Sequence, residues 1–177
     1  MGRVAIWLMH GVRWLAVALV LMPGAALAET SKSFQVAADI VKGCFVSTNG
    51  AGQWGQINLG TVSGIARGTV SADLLSTSVA GIQIECTPSM TATVSADTGN
   101  HAVGGVRQMG LNGTSSALIP YQLYADGSST PWTTQSVSLT FVAGATKRVL
   151  PVRGTATLSG AMVAGTYTDT VRITLSW

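Results

Sequence analysis

The stretch Ser33–Cys44, SFQVAADIVKGC, carries the pattern on which the reading of this chain rests. Phe34, Val36, Ala38 and Ile40 recur at a spacing of two, with Ser33, Gln35 and Asp39 between them. In extended backbone, successive side chains point to opposite faces, so this alternation puts four apolar groups on one side of a β-strand. Only Ala37 blurs it. A strand this regular at the head of a domain has two uses: it completes its own sheet, or it completes a neighbour's.

Upstream, Arg3 and Arg13 flank a mixed lead, Leu15–Met22 is uninterruptedly apolar, Pro23-Gly24 breaks the run and Ala26-Leu27-Ala28 closes it. A basic start, a short apolar centre and an A-x-A ending mark a secretory signal peptide, residues 1–28, cut after Ala28. The apolar run is far shorter than the roughly 20 residues that span a bilayer, so no membrane span is expected in the mature chain. The formal net charge of +3 includes Arg3 and Arg13. The mature chain is therefore nearly neutral, and it has no clustered Lys and Arg of the kind that binds nucleic acid. Lys147-Arg148, the one adjacent basic pair, reads as a solvated strand end.

Cys44 and Cys86 are the two cysteines. In an exported chain an even count implies a disulfide, and two cysteines allow one internal pairing. A metal or redox pair would need a spacing such as C-x-x-C, which is absent.

Downstream the chain repeats the extended pattern. Gln56–Gly60, Val70–Ser76, Ile82–Cys86, Thr91–Ala96, Arg107–Leu111, Ile119–Ala125, Val137–Phe141 and Lys147–Thr157 read as strands, although Val70–Ser76 also allows a helical turn. Pro151 puts an edge or a bulge in the last of these. Asn112-Gly113 and Asp126-Gly127 are hairpin-type turns. The final stretch, Thr166–Trp177, places Val171, Ile173, Leu175 and Trp177 against Thr170, Arg172, Thr174 and Ser176. Nine or ten short strands, many Thr, Val and Ser, and no convincing helix after the leader predict an all-β, immunoglobulin-like sandwich.

Chemistry-bearing residues are few. His10 lies in the leader and His101 in a Gly/Asn turn region; Glu29, Asp39, Asp73, Glu85, Asp97, Asp126 and Asp169 are scattered. No pair suits acid–base work, no spacing suits a metal, and G-x-S-x-G, P-loop, H-E-x-x-H and EF-hand patterns are missing. No enzyme activity, cofactor or metal is expected. Trp54 and Trp132 stand in polar surroundings and suit either sugar stacking or core packing, the commoner fate of tryptophan.

The order of features resembles the spore coat protein U family, the subunits of archaic chaperone–usher pili of the Csu type. The matching pieces are Phe34-x-Val36 before Gly43-Cys44, Gly55-x-Ile-Asn-Leu-Gly60, Ile82-x-Ile-x-Cys86-Thr-Pro88, Arg107-x-Met109, Ile119-Pro-Tyr121-x-Leu-Tyr124-x-Asp126, Val152-x-Gly154 and Ala164-Gly-x-Tyr167-x-Asp169-Thr-Val. The resemblance implies a sandwich lacking its final strand, residues 42–177, preceded by a donor-strand extension, residues 29–41. It implies that Phe34, Val36, Ala38 and Ile40 plug the groove of a neighbouring subunit. The strand through Val171, Ile173, Leu175 and Trp177 would line this chain's own groove and pair with the incoming strand, first from a periplasmic chaperone and then from the next subunit at an outer-membrane usher. Such a protein is exported through the periplasm to a pilus on a Gram-negative cell surface, as a shaft or minor subunit supporting adhesion and biofilm formation. Two other readings stay open: a secreted monomer binding surface carbohydrate through Trp54 and Trp132, with Ser33–Ile40 paired inside its own sandwich, and a spore coat structural protein.

Overall fold

A computed structural model describes residues 31–76 and 79–177 of the chain, so the expected signal peptide lies outside the described residues. The chain divides into two units, Met1–Ala38 and Asp39–Trp177. In the first unit, the described residues 31–38 form no strand and are solvent-exposed. Residues 39–43 of the second unit are likewise in no strand. The strand expected over Ser33–Ile40 is therefore not formed. A strand exists only by hydrogen bonding to another, and no described strand takes these residues.

Every regular element among the described residues is a strand. In chain order they are β1 (Cys44–Val46), β2 (Gln56–Ile57), β3 (Arg67–Leu75), β4 (Ile82–Cys86), β5 (Met90–Ala96), β6 (Gln108–Leu111), β7 (Leu118–Ala125), β8 (Val137–Phe141), β9 (Lys147–Leu150), β10 (Val152–Ser159), β11 (Tyr167–Thr168) and β12 (Ile173–Ser176). They build three antiparallel sheets, ordered β1-β4-β9, β12-β5-β8 and β11-β6-β7-β10-β3-β2. The first two follow the immunoglobulin plan: β1, β4 and β9 hold the places of strands A, B and E, and β5, β8 and β12 those of C, C′ and F. Lys147–Thr157 is split at Pro151, where the chain leaves the β4 sheet (Ile82 opposite Leu150) for the six-stranded one (Arg153 opposite Asp73). Proline has no amide hydrogen to give either ladder.

Local chemistry explains the elements. Alternation buries Ile82, Ile84 and Cys86 on β4 and Met90, Ala92, Val94 and Ala96 on β5, while Glu85 and Thr91 stay outside. Asn112 and Gly113 both take positive φ, 47° and 72°, closing a tight turn with Thr114 N–H donating to Leu111 C=O at 3.0 Å. Asp126 and Gly127 make the same turn (54° and 72°), yet it joins no hairpin, because β7 and β8 belong to different sheets. Gly154 is buried in β10, where glycine makes room for Ile57: a Cβ there would come to 3.0 Å from it. That contact gives two of the motif glycine and isoleucine positions one packing reason.

The core is continuous, with Trp132, Phe141, Ile82, Ile84, Leu139, Leu150 and Val94 its largest fully buried side chains. Trp132 comes from the irregular segment between β7 and β8. Its backbone N–H donates to Leu123 C=O (2.6 Å) and its indole N–H to Gln135 C=O (2.8 Å). At 2% exposure it offers no stacking face, and Trp54 is packed against the same core. The sugar-stacking role is thereby corrected for Trp132, whose indole fills the sandwich, whereas Trp54 is only partly buried.

Cys44 and Cys86 are bonded, and they stand directly opposite in the β1–β4 register. On the six-stranded sheet, Arg153 donates from Nε to Asp73 Oδ1 at 2.8 Å across β10 and β3. That hydrogen bond holds the Asp73 carboxyl below its ordinary value. A depressed carboxyl stabilises the fold above its unfolded pKa of 3.8 and loses that contribution as pH falls through the lower folded value, so the window lies below about pH 4. Both side chains are at least half exposed, where such pairs contribute little. Asp73→Asn is expected to move the melting temperature at pH 7 by less than about 2 °C, as read by circular dichroism.

Candidate functional site

The sheet β12-β5-β8 ends on β12. In a complete seven-stranded sandwich strand G sits beside F, and no described residue occupies that seat beside β12. The outer backbone groups of β12 therefore have no strand partner among the described residues.

The side chains show the same gap. Ile173 is paired with Ala96 and Leu175 with Val94, so each pair shares one face of the sheet. Val94 and Ala96 are buried, whereas Ile173, Leu175 and the preceding Val171 pack on the core but stay partly exposed. Core cover stops along β12. Trp177 lies beyond the strand and is 61% exposed.

The other half of the expected site is an apolar row that pairs with no strand among the described residues. Phe34, Val36 and Ile40 are 86%, 84% and 89% exposed, and Ala38 is exposed as well. All four lie on unpaired chain. A soluble fold seldom spends consecutive alternate positions on exposed Phe, Val and Ile without a use.

The single strand expected over Thr166–Trp177 is corrected to two. Tyr167 and Thr168 pair with Leu111 and Gly110 of β6, while Ile173–Ser176 pair with β5. Between them residues 169–172 cross from one sheet to another, and a polar cluster fixes the crossing. Asp169 accepts from Tyr121 O–H through Oδ2 (2.6 Å) and from Asn100 N–H through Oδ1 (2.9 Å). Asp97 grips Arg172 twice, accepting its N–H at Oδ1 and donating its own N–H to Arg172 C=O, both 2.9 Å. Arg107, 5% exposed, donates to the carbonyls of Asp97, Trp132 and Thr133.

Burial first, then the hydrogen bond to Asp169, pushes the Tyr121 hydroxyl well above its ordinary range, so it stays a donor. Burial draws the Arg107 guanidinium down, opposed by Tyr121, Asp97 and Asp169. No buried polar side-chain atom is left unpaired among the described residues. Arg107, Tyr121 and Asp169 stood in the quoted motifs without a role, and Asp97 stood among the scattered acids. The available signal was Asp169 itself, a carboxylate breaking the longest alternating stretch of the chain. Among the described residues, no group of three His, Cys, Asp or Glu side chains could hold a metal ion.

The model of the Spore Coat Protein U domain matches residues 30–174. The chain belongs to that family. No curated protein matches this Spore Coat Protein U domain chain. Among solved structures, its fold resembles a chain in the crystal structure of the CsuC–CsuE chaperone–tip adhesion subunit pre-assembly complex from archaic chaperone–usher Csu pili of Acinetobacter baumannii. The two share 20% identity with a TM-score of 0.51, over 78% of this chain and 40% of that one. At that identity the likeness is one of fold, and this Spore Coat Protein U domain chain spans two fifths of the solved one.

Proposed function

We propose that this chain is a structural subunit of a pilus built by the chaperone–usher route, polymerising by donor-strand complementation. The observation that carries the reading is the outer flank of β12, where Val171, Ile173 and Leu175 are only partly buried and no described strand takes the place of strand G. Residues 42–177 would be the acceptor domain and residues 29–41 the extension that fills a neighbour's seat. Phe34, Val36, Ala38 and Ile40 would enter the groove while main-chain hydrogen bonds form along β12, the usual division of labour in strand addition. Family membership supports this, and so does the fold shared with a chain solved in a chaperone–subunit complex.

The partners in this reading are other subunits, a periplasmic chaperone that holds the groove first, and an outer-membrane usher. The location is the surface of a Gram-negative cell, reached through the periplasm, and adhesion and biofilm formation are the services of the finished fibre. No catalysis is part of the reading.

The test is expression in a periplasm with and without the candidate chaperone, using the full chain and one lacking residues 29–41. The full chain is expected to give ladders that survive SDS without boiling, and the shortened one none. Stable monomers from both, without chaperone, would end the proposal.

A further inference from the structure

We propose that Asp97 is a positioning residue for strand acceptance, the centre of a latch that holds β12 in register while its outer edge is empty. This rests on the strand-acceptance reading above and adds to it what keeps the acceptor ready.

A strand bonded on one flank is a weak element. β12 has four register pairs with β5 and nothing described on its other side, and its core-facing side chains are only partly buried. Left to those contacts it would fray, and an incoming strand would have to order both partners at once. Ordering costs roughly 1–2 kcal/mol per backbone residue, so an acceptor already ordered takes its partner faster and holds it longer.

The cluster at the head of β12 supplies that order. Asp97 directly follows β5 and uses both backbone groups and its carboxylate. Its N–H and Oδ1 close on the C=O and N–H of Arg172, the residue before β12; Oδ1 also takes the Gly99 N–H at 2.9 Å. Its C=O is taken by the buried Arg107, which is tied in turn to the Trp132 segment of the core. Three residues upstream, Asp169 is held by Tyr121 of β7 and by the Asn100 backbone. The segment between β11 and β12 is thus fastened at both ends, to the six-stranded sheet that the chain leaves after β11 and to β5, which β12 joins.

Removing the Asp97 carboxylate leaves the Arg172 N–H without its acceptor. Asn keeps that acceptor and removes only the charge, so it should rescue function. A role limited to general stability would speed exchange in β7 and β10 along with β12.

The experiment uses the full chain and a fluorescent synthetic peptide of residues 33–43, with hydrogen exchange read by mass spectrometry. Asp97→Ala is expected to slow peptide uptake about tenfold and to speed exchange over residues 172–176 by a similar factor, with β7 and β10 unchanged. Asp97→Asn should stay within about twofold of the natural chain on both readouts. Should Asp97→Ala not fold, Tyr121→Phe, which removes only the donor to Asp169, is expected to shift both readouts about threefold in the same direction. Unchanged exchange over 172–176, or an Asn variant as impaired as Ala, would overturn the latch. If the natural chain takes up no peptide, the strand-acceptance reading fails, and the latch then stands or falls on exchange alone.

Discussion

Phe34→Asp and Ile40→Asp, made together, are expected to abolish SDS-resistant ladders while leaving the melting of the 39–177 unit within about 2 °C of the natural chain. The two effects separate because of where the residues lie. Both are more than four-fifths exposed on unpaired chain, so a carboxylate there removes no described contact of the folded unit. In the groove of a neighbour, by contrast, each would have to leave water. Full burial of a large apolar side chain is worth roughly 1.5–3 kcal/mol, and burying an unpaired carboxylate costs several more. Against a joint made from four plugs and one ladder, two such changes are decisive. Ala38→Ser, the smallest plug, should by the same argument only thin the ladders. The measurement is an unboiled gel of periplasmic extract beside a melt of the purified chains. Ladders undiminished by the double variant would show that these side chains are not the plugs.

Loss of the disulfide should be the largest single blow to the fold itself. Cys44 and Cys86 are 42 residues apart in sequence, and the chain-entropy account values such a loop at about 4 kcal/mol, an upper figure. The structure adds a local reason. β1 is three residues long and among the described residues pairs with β4 alone, so the covalent bond substitutes for ladder length. Replacing both cysteines by Ala is expected to lower the melting temperature by roughly 10 °C or more, and reduction should do the same to the natural chain. A fall of less than about 3 °C would mean that the β1–β4 ladder holds without the bond.

How much of this was legible beforehand differs by element. The strands from Ile82 to Phe141 follow from alternation, because a half-buried strand needs one apolar face and the residues supply it. The cysteine pairing needed only a count. The turn at Asn112-Gly113 follows from two residues that tolerate positive φ. Where alternation misled, long-range packing had intervened. Thr166–Trp177 alternates throughout, yet splits at Asp169, because that carboxylate is engaged by Tyr121 and Asn100, 48 and 69 residues away. Trp132 sits among polar neighbours in sequence but fills the core, because the segment that carries it folds onto Leu123.

By itself, then, the sequence determined the all-β class, the disulfide partners, the tight turns and the two apolar rows, at Phe34–Ile40 and Val171–Leu175. Each depends on side-chain period or residue chemistry within a few positions. The tertiary structure alone decided which row is partly buried and which is bare, that no described strand lies on the outer side of β12, and that Asp97, Arg107, Tyr121 and Asp169 gather at its head. Those are matters of which strands lie side by side, and pairing is set by core packing between residues far apart in the chain, which no local period records.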